Sequence, residues 1–187
     1  NTRFAIAVVD AAKIDDINIL QATLFGMHLV AAAVVGAPVH VPIQKEPSVS
    51  HKGCYVVCGG KRTTFSISDR HYALVDGNRV PENMPCAAEA VVRGDGLEYC
   101  IAAASVLAKV TRDRLMHEYD KLHPAYNLAR HKGYPTAAHV QAILQHGPCP
   151  IHRRTFAPLK HMIAAEQAND GDNPVPGKKR KTNSKSR

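Results

Sequence analysis

The 187 residues carry 24 Lys and Arg against 16 Asp and Glu, for a formal charge of +8, and 45% of them are hydrophobic. That is enough chain and apolar content for one domain with its own core. No uninterrupted apolar run matches the roughly 20 residues of a bilayer span ("LVAAAVV", 29–35, is far too short), and no secretory signal pattern opens the chain. The charge is uneven. The last ten residues, "KKRKTNSKSR", hold six Lys or Arg and no acid, which leaves +2 on the rest. This tail reads as a solvated basic arm, suited to nuclear import, to phosphate contact or merely to solubility. Five cysteines without secretory context indicate free thiols, and the pair Cys54 and Cys58 lacks partners at zinc spacing.

In chain order, residues 3–9, "RFAIAVV", predict a strand. From about Lys13 to Val35 the pattern is helical: Ile14, Ile17, Leu20, Leu24, Met27 and Ala31 recur on one face, expected to be buried, and Gly36 and Pro38 end the run. Residues 36–70 read as an inserted, peripheral excursion containing a hairpin about Gly59-Gly60. "YALVD", 72–76, and "AEAVV", 88–92, predict two further strands. A long helix spans about Glu98 to His123, with Pro124 as its stop; a short one is capped by Thr136 and closed by Gly147; a last one lies at 157–168. Strands mixed with helices indicate an α/β domain.

Three segments carry candidate chemistry. In "YALVDGNRV" an apolar strand finishes on Asp76, followed by Gly77. Asp-Gly is a common turn pair, but an acid at a strand end is also a metal ligand's place. On the long helix, Ser105, Lys109 and Asp113 interrupt an Ala- and Val-rich stretch at a spacing of four, which sets them along one stripe. Asp113 either pairs with Lys109 or its flanking arginines, or meets Asp76 at a shared divalent-metal site, their carboxylates then within about 8 Å. The third segment, residues 131–160, sets Lys132, His152, Arg153, Arg154 and Lys160 among Tyr134 and Phe156, a mixture that matches phosphates and stacking surfaces. Tyr134 also suits a turn tyrosine packed on the core. No Gly-rich phosphate loop is present, which argues against an unrelated phosphate-binding metabolic enzyme.

Together "VDGN", "AAASVLAKVTRDRLM" and "HKGYPTAAHVQAILQHGPCPIHRRTF" resemble ribonuclease HII of the bacterial type, and "IDDINILQATLFGM" resembles the helix that precedes the "VDGN" strand in that family. The resemblance covers residues 1–35 and 71–160. It implies a ribonuclease H-like fold, a mixed sheet flanked by helices. It implies endonucleolytic, two-metal-ion hydrolysis of RNA in RNA–DNA hybrids, including single ribonucleotides embedded in duplex DNA, with Mg²⁺ or Mn²⁺ as cofactor. It assigns Asp76 and Asp113 as metal-binding, catalytic carboxylates. Tyr134 is assigned to stack on the sugar beside the ribonucleotide, with Ser105 and Lys109 near the substrate backbone. The acidic pair and Gly-Arg-Gly run that open the family's domain have no counterpart, because Asp15-Asp16 leads into "INIL". The expectation is therefore a domain at 1–160 lacking its N-terminal strands, inactive by itself, followed by a tail at 161–187. The protein is expected to be a monomer without membrane contact, placed in a nucleus or an organelle of bacterial descent. The alternative is a non-catalytic nucleic-acid-binding or assembly protein derived from such an enzyme.

Overall fold

A computed structural model describes residues 3–60 and 71–170, the side chains of 166–170 excepted. The chain divides into two compact units, Asn1–Arg153 and Arg154–Arg187. The division falls a few residues before the expected one at 160, and the basic tail lies outside the described residues.

The first unit opens with β1 (Arg3–Val8) and α1 (Ala11–Val35). Asp10 caps α1, its carboxylate accepting from the Lys13 N–H at 3.0 Å. The helix is broken at Asn18, whose backbone is extended and left-handed (φ 67°, ψ 167°). The Asn18 side chain accepts from the Gln21 N–H at 3.1 Å and so caps a second helical segment. Gly36, in the left-handed region, closes α1 by donating to the Ala32 carbonyl. By length and composition α1 could cross a membrane, its most apolar window having a mean hydropathy of 1.6. The sequence expectation overlooked this because scattered polar residues interrupt the run. Packing covers only part of it: α1 lies against β1 and its neighbour β3, with Ala22, Leu29, Ala32 and Val35 buried, while Ile19 and Leu20 are exposed.

β3 (Tyr55–Gly60) is the middle strand of a three-stranded mixed sheet, antiparallel to β1 and parallel to the short β2 (Ile43–Gln44). This corrects the reading of 36–70 as a peripheral excursion. Tyr55, Val56 and Val57 are only 2%, 0% and 3% exposed, so consecutive side chains are covered on both faces, as in a central strand. The Gly59-Gly60 pair is not a hairpin turn. It continues the ladder opposite Phe4 and Arg3, and the Phe4 ring lies over Gly59 where a side chain would otherwise stand. The second β-prone run of that segment lies outside the described residues.

β4 (Tyr72–Asp76) and β5 (Ala87–Val91) form a separate parallel pair in which Asp76 is opposite Val91. After a single 3₁₀ turn, Gly94–Gly96, the chain enters α2 (Tyr99–Leu122). α3 (Leu128–His131) and α4 (Ala137–His146) follow, α4 capped by Thr136 and closed at Gly147 as expected. In the second unit the described helix is α5 (Leu159–Asp170). The α/β class and the mixed sheet agree with a ribonuclease H-like fold.

The placement of β3 has a measurable consequence. Val56→Ala should lower unfolding stability by about 1–3 kcal/mol through lost burial and a residual cavity. Ile43→Ala, on the exposed neighbouring strand, should cost less than about 0.5 kcal/mol. Urea denaturation of both variants checks this, and equal costs would return the segment to the periphery.

Candidate active site and nucleic-acid interface

β4 carries its acid to an open edge. Val75 is buried, Asp76 is exposed, and Gly77 turns the chain away at φ +114° while still donating to the Val91 carbonyl at 3.0 Å. The turn and the strand-end acid are thus both present at this position. One Asp76 oxygen accepts from the Gly94 N–H at 2.8 Å. Gly94 is buried, and a methyl group there would stand 2.5 Å from Ile101 Cδ1 and 3.2 Å from Val91 Cβ, so a side chain at this position would force Ile101 to move. The next residue is Asp95, also exposed. Asp76 thus ends its strand bonded to the backbone of the residue that precedes Asp95, at the edge where open α/β sheets place their ligands.

Asp95 was missed in the sequence. "RGDG" reads as a turn, and only the parallel pairing of β4 with β5 brings it beside Asp76. The structure does not bring Asp113 there. Ile101, the α2 residue that touches Gly94, precedes Asp113 by twelve positions, about 18 Å along the helix axis at 1.5 Å per residue. Asp113 is instead held by Lys109, whose ammonium donates to both carboxylate oxygens at 2.7 and 2.8 Å. That hydrogen bond holds the Asp113 carboxyl below its ordinary range, with Lys132 and Arg112 adding to the effect.

Lys109 and Asp113 are nevertheless part of a second constellation. The Lys109 ammonium lies 5.9 Å and the Arg112 guanidinium 5.4 Å from the centre of the Tyr134 ring, which is 54% exposed. Lys132 donates to His117 Nε2 at 2.6 Å and to the Ala129 carbonyl. Arg153 is half-buried close enough to Arg112 for the like charge to add to the lowering of its pKa by burial. Ser105 is exposed one helical turn before Lys109. The result is a cationic face with one open aromatic ring in it.

As metal donors, Asp76 and Asp95 offer hard oxygens suited to Mg²⁺ or Mn²⁺. Two carboxylates balance one divalent ion and only half the charge of two. Among the described residues no group of three His, Cys, Asp or Glu side chains could hold a metal ion. The arrangement therefore fits a partial set of ligands for one ion and does not fit a two-ion centre.

Comparison with known proteins extends beyond these motifs. The profile of the Ribonuclease HII family matches residues 64–159. Ribonuclease HII of Xanthomonas axonopodis pv. citri (strain 306) is 43% identical over 174 residues, 93% of this chain and 57% of the relative. Those of Marinomonas sp. (strain MWYL1) and Xylella fastidiosa (strain M12) are each 39% identical over 160 residues, 86% of this chain and 64% and 55% of the relatives. The chain thus spans little more than half the length of most curated relatives it matches. These relatives are bacterial, and bacteria have neither nucleus nor mitochondrion, which overturns the expectation of a nucleus or an organelle of bacterial descent. The continuous match through the "VDGN" strand, the long helix and the "HKGY" segment makes this chain a member of the ribonuclease HII family.

Proposed function

We propose that the protein is a ribonuclease H: an endonuclease that hydrolyses the RNA of RNA–DNA hybrids, including single ribonucleotides embedded in duplex DNA. The observation that carries this reading is the Tyr134 ring standing open beneath Lys109 and Arg112 on the chain that also sets Asp76 beside Asp95. Cations neutralise phosphates, while an exposed ring supplies a stacking face for a base or sugar. Family membership supports the hydrolytic part, since ribonucleases HII are generally dependent on divalent metal.

Within this reading Asp76 and Asp95 are the metal-binding carboxylates. When bound, a divalent ion supplies a more acidic water and stabilises the charge on the phosphodiester. Asp113 is replaced as a ligand by Asp95 and serves to orient Lys109. Ser105, Lys109, Arg112 and Lys132 follow the backbone of the nucleic acid, and Tyr134 stacks beside the scissile nucleotide. The two-ion mechanism implied by the resemblance needs more carboxylates than these, so no step is drawn through it. The alternative, a nucleic-acid-binding protein without catalysis, draws on the same observation: the cationic face is more complete than the acidic site. Cleavage separates the two readings.

Three outcomes are expected. Isothermal titration with Mn²⁺ should give binding that Asp76→Asn and Asp95→Asn each weaken, because Asn keeps the shape and loses the charge; Asp113→Asn should leave it nearly unchanged. Equal loss in all three variants would restore Asp113 as a ligand. Tyr134→Ala should weaken binding to an RNA–DNA hybrid by about 1–3 kcal/mol, roughly ten- to a hundredfold, as read by fluorescence anisotropy. The 187-residue chain alone should nick a labelled duplex bearing one ribonucleotide slowly or not at all, even with Mg²⁺ or Mn²⁺ present; rapid metal-dependent nicking would refute the charge-balance argument.

A further inference from the structure

Behind Tyr134 lies a set of imidazoles that neither the acids nor the cationic face uses. His131 and His139 are buried, 8% and 5% exposed, and their rings stack with centroids 4.1 Å apart. His152 packs against His139. Their hydrogen bonds fix which nitrogen carries each proton, because a backbone N–H can only donate and a carbonyl can only accept. The Cys149 N–H donates to His152 Nδ1 at 3.0 Å, so the proton of His152 is on Nε2. That Nε2 faces His139 Nε2 at 3.0 Å. His139 Nδ1 faces the Tyr134 carbonyl at 2.9 Å and must donate to it, which leaves His139 Nε2 free to accept from His152. A second arm meets the same turn: the Gly133 N–H donates to His131 Nδ1 at 3.2 Å, and His131 Nε2 donates to the Tyr126 carbonyl at 2.7 Å.

Both arms therefore run in one consistent sense with every ring neutral. They grip the peptide units on either side of the Gly133–Tyr134 bond. A proton added to any of the three rings would set two N–H groups face to face and break an arm.

We propose that His139 and His152, with His131 stacked beneath them, are positioning residues that hold the Tyr134 backbone so that its ring can stack on the nucleic acid. The proposal rests on the recognition role given to Tyr134 above. The surroundings suit it. Burial lowers the pKa of His139, and burial together with His139 takes His152 down to about 4. The other titratable groups near the imidazoles are Cys149, His123, His146 and Tyr126, whose ring touches His123, His146 and His152. Lys109 and Arg112 meet the Tyr134 ring from α2. Because the folded pKa of His152 lies below its ordinary value of about 6.5, the neutral ring's contribution to stability is complete above about pH 6.5. It declines as pH falls and is lost once pH passes below about 4.

The first test needs no variant. Nitrogen-detected NMR of the imidazoles at pH 7.5 should give the Nδ1–H form for His139 and the Nε2–H form for His131 and His152; the opposite form at His139 or His152 overturns the proposal. The second is a mutant cycle read by anisotropy with a labelled RNA–DNA hybrid. His139→Ala should weaken binding by about the same ten- to a hundredfold as Tyr134→Ala, the two losses should not add, and His139→Asn should recover most of the binding, since its amide can donate from the position of Nδ1. Non-additivity and rescue would not follow from a merely structural role. A weakened Tyr134→Ala beside an unchanged His139→Ala, or losses that add fully, overturns the proposal alone. If Tyr134→Ala binds as well as the wild type, the recognition reading fails and takes the proposal with it.

Discussion

The hydrogen bond from the Gly94 N–H to Asp76 is the constraint on which the site depends. It ties the end of β4 to the turn that leaves β5, and that turn launches α2. Three outcomes follow from one contact. Asp95 is held beside Asp76. Gly94 packs closely on Val91 and Ile101, so a side chain there would displace Ile101. The start of α2 is fixed relative to the parallel strands, and with it the axis along which Ser105, Lys109, Arg112 and Asp113 are displayed. A bond between a backbone donor and a charged acceptor is stronger than a neutral one, which suits it to a junction between two elements.

The cationic face follows a different logic. Lys109, Arg112, Lys132 and Arg153 are close enough to perturb their neighbours' protonation, and Asp113 sits among the first three with its carboxyl held ionised. One acid among several cations keeps their side chains ordered and leaves the local charge positive. Tyr134 lies on the turn opposite, and the imidazoles beneath it tie that turn to the segment after α4. The cations and the exposed ring thus come from separate elements, joined by a network of histidines.

Much of the scaffold was legible in the residues. The Thr136 cap, the closing glycines and the "YALVD" strand each carry a local signal, and each element formed where its signal lies; the apolar period located α1 but not its buried face, which is Ala22, Leu29, Ala32 and Val35 and not the Ile14 to Ala31 stripe. Local reading failed where a residue supports two conformations. Gly59-Gly60 suits a turn, but pairing with β1 drew both residues into the ladder, because Phe4 fills the space that Gly59 leaves. Asn18 has the chemistry of a cap inside a helical period, and the period concealed the break.

The sequence by itself determined the types of residue available: a strand-end acid, a helix stripe of Ser105, Lys109 and Asp113, and a tyrosine among basic residues. It also determined the family, since long ordered motifs are specific even when each is ambiguous alone. Only the tertiary structure decided which acids become neighbours. Spacing of four on a helix gives Asp113 to Lys109, a local relation that any helix provides. Asp76 and Asp95 are nineteen positions apart, and the parallel pairing of β4 with β5 brings the Gly94 N–H, one residue before Asp95, onto the Asp76 carboxylate. The protons on His131, His139 and His152 were equally beyond the sequence, because a tautomer is set by the donors and acceptors that folding brings to each ring.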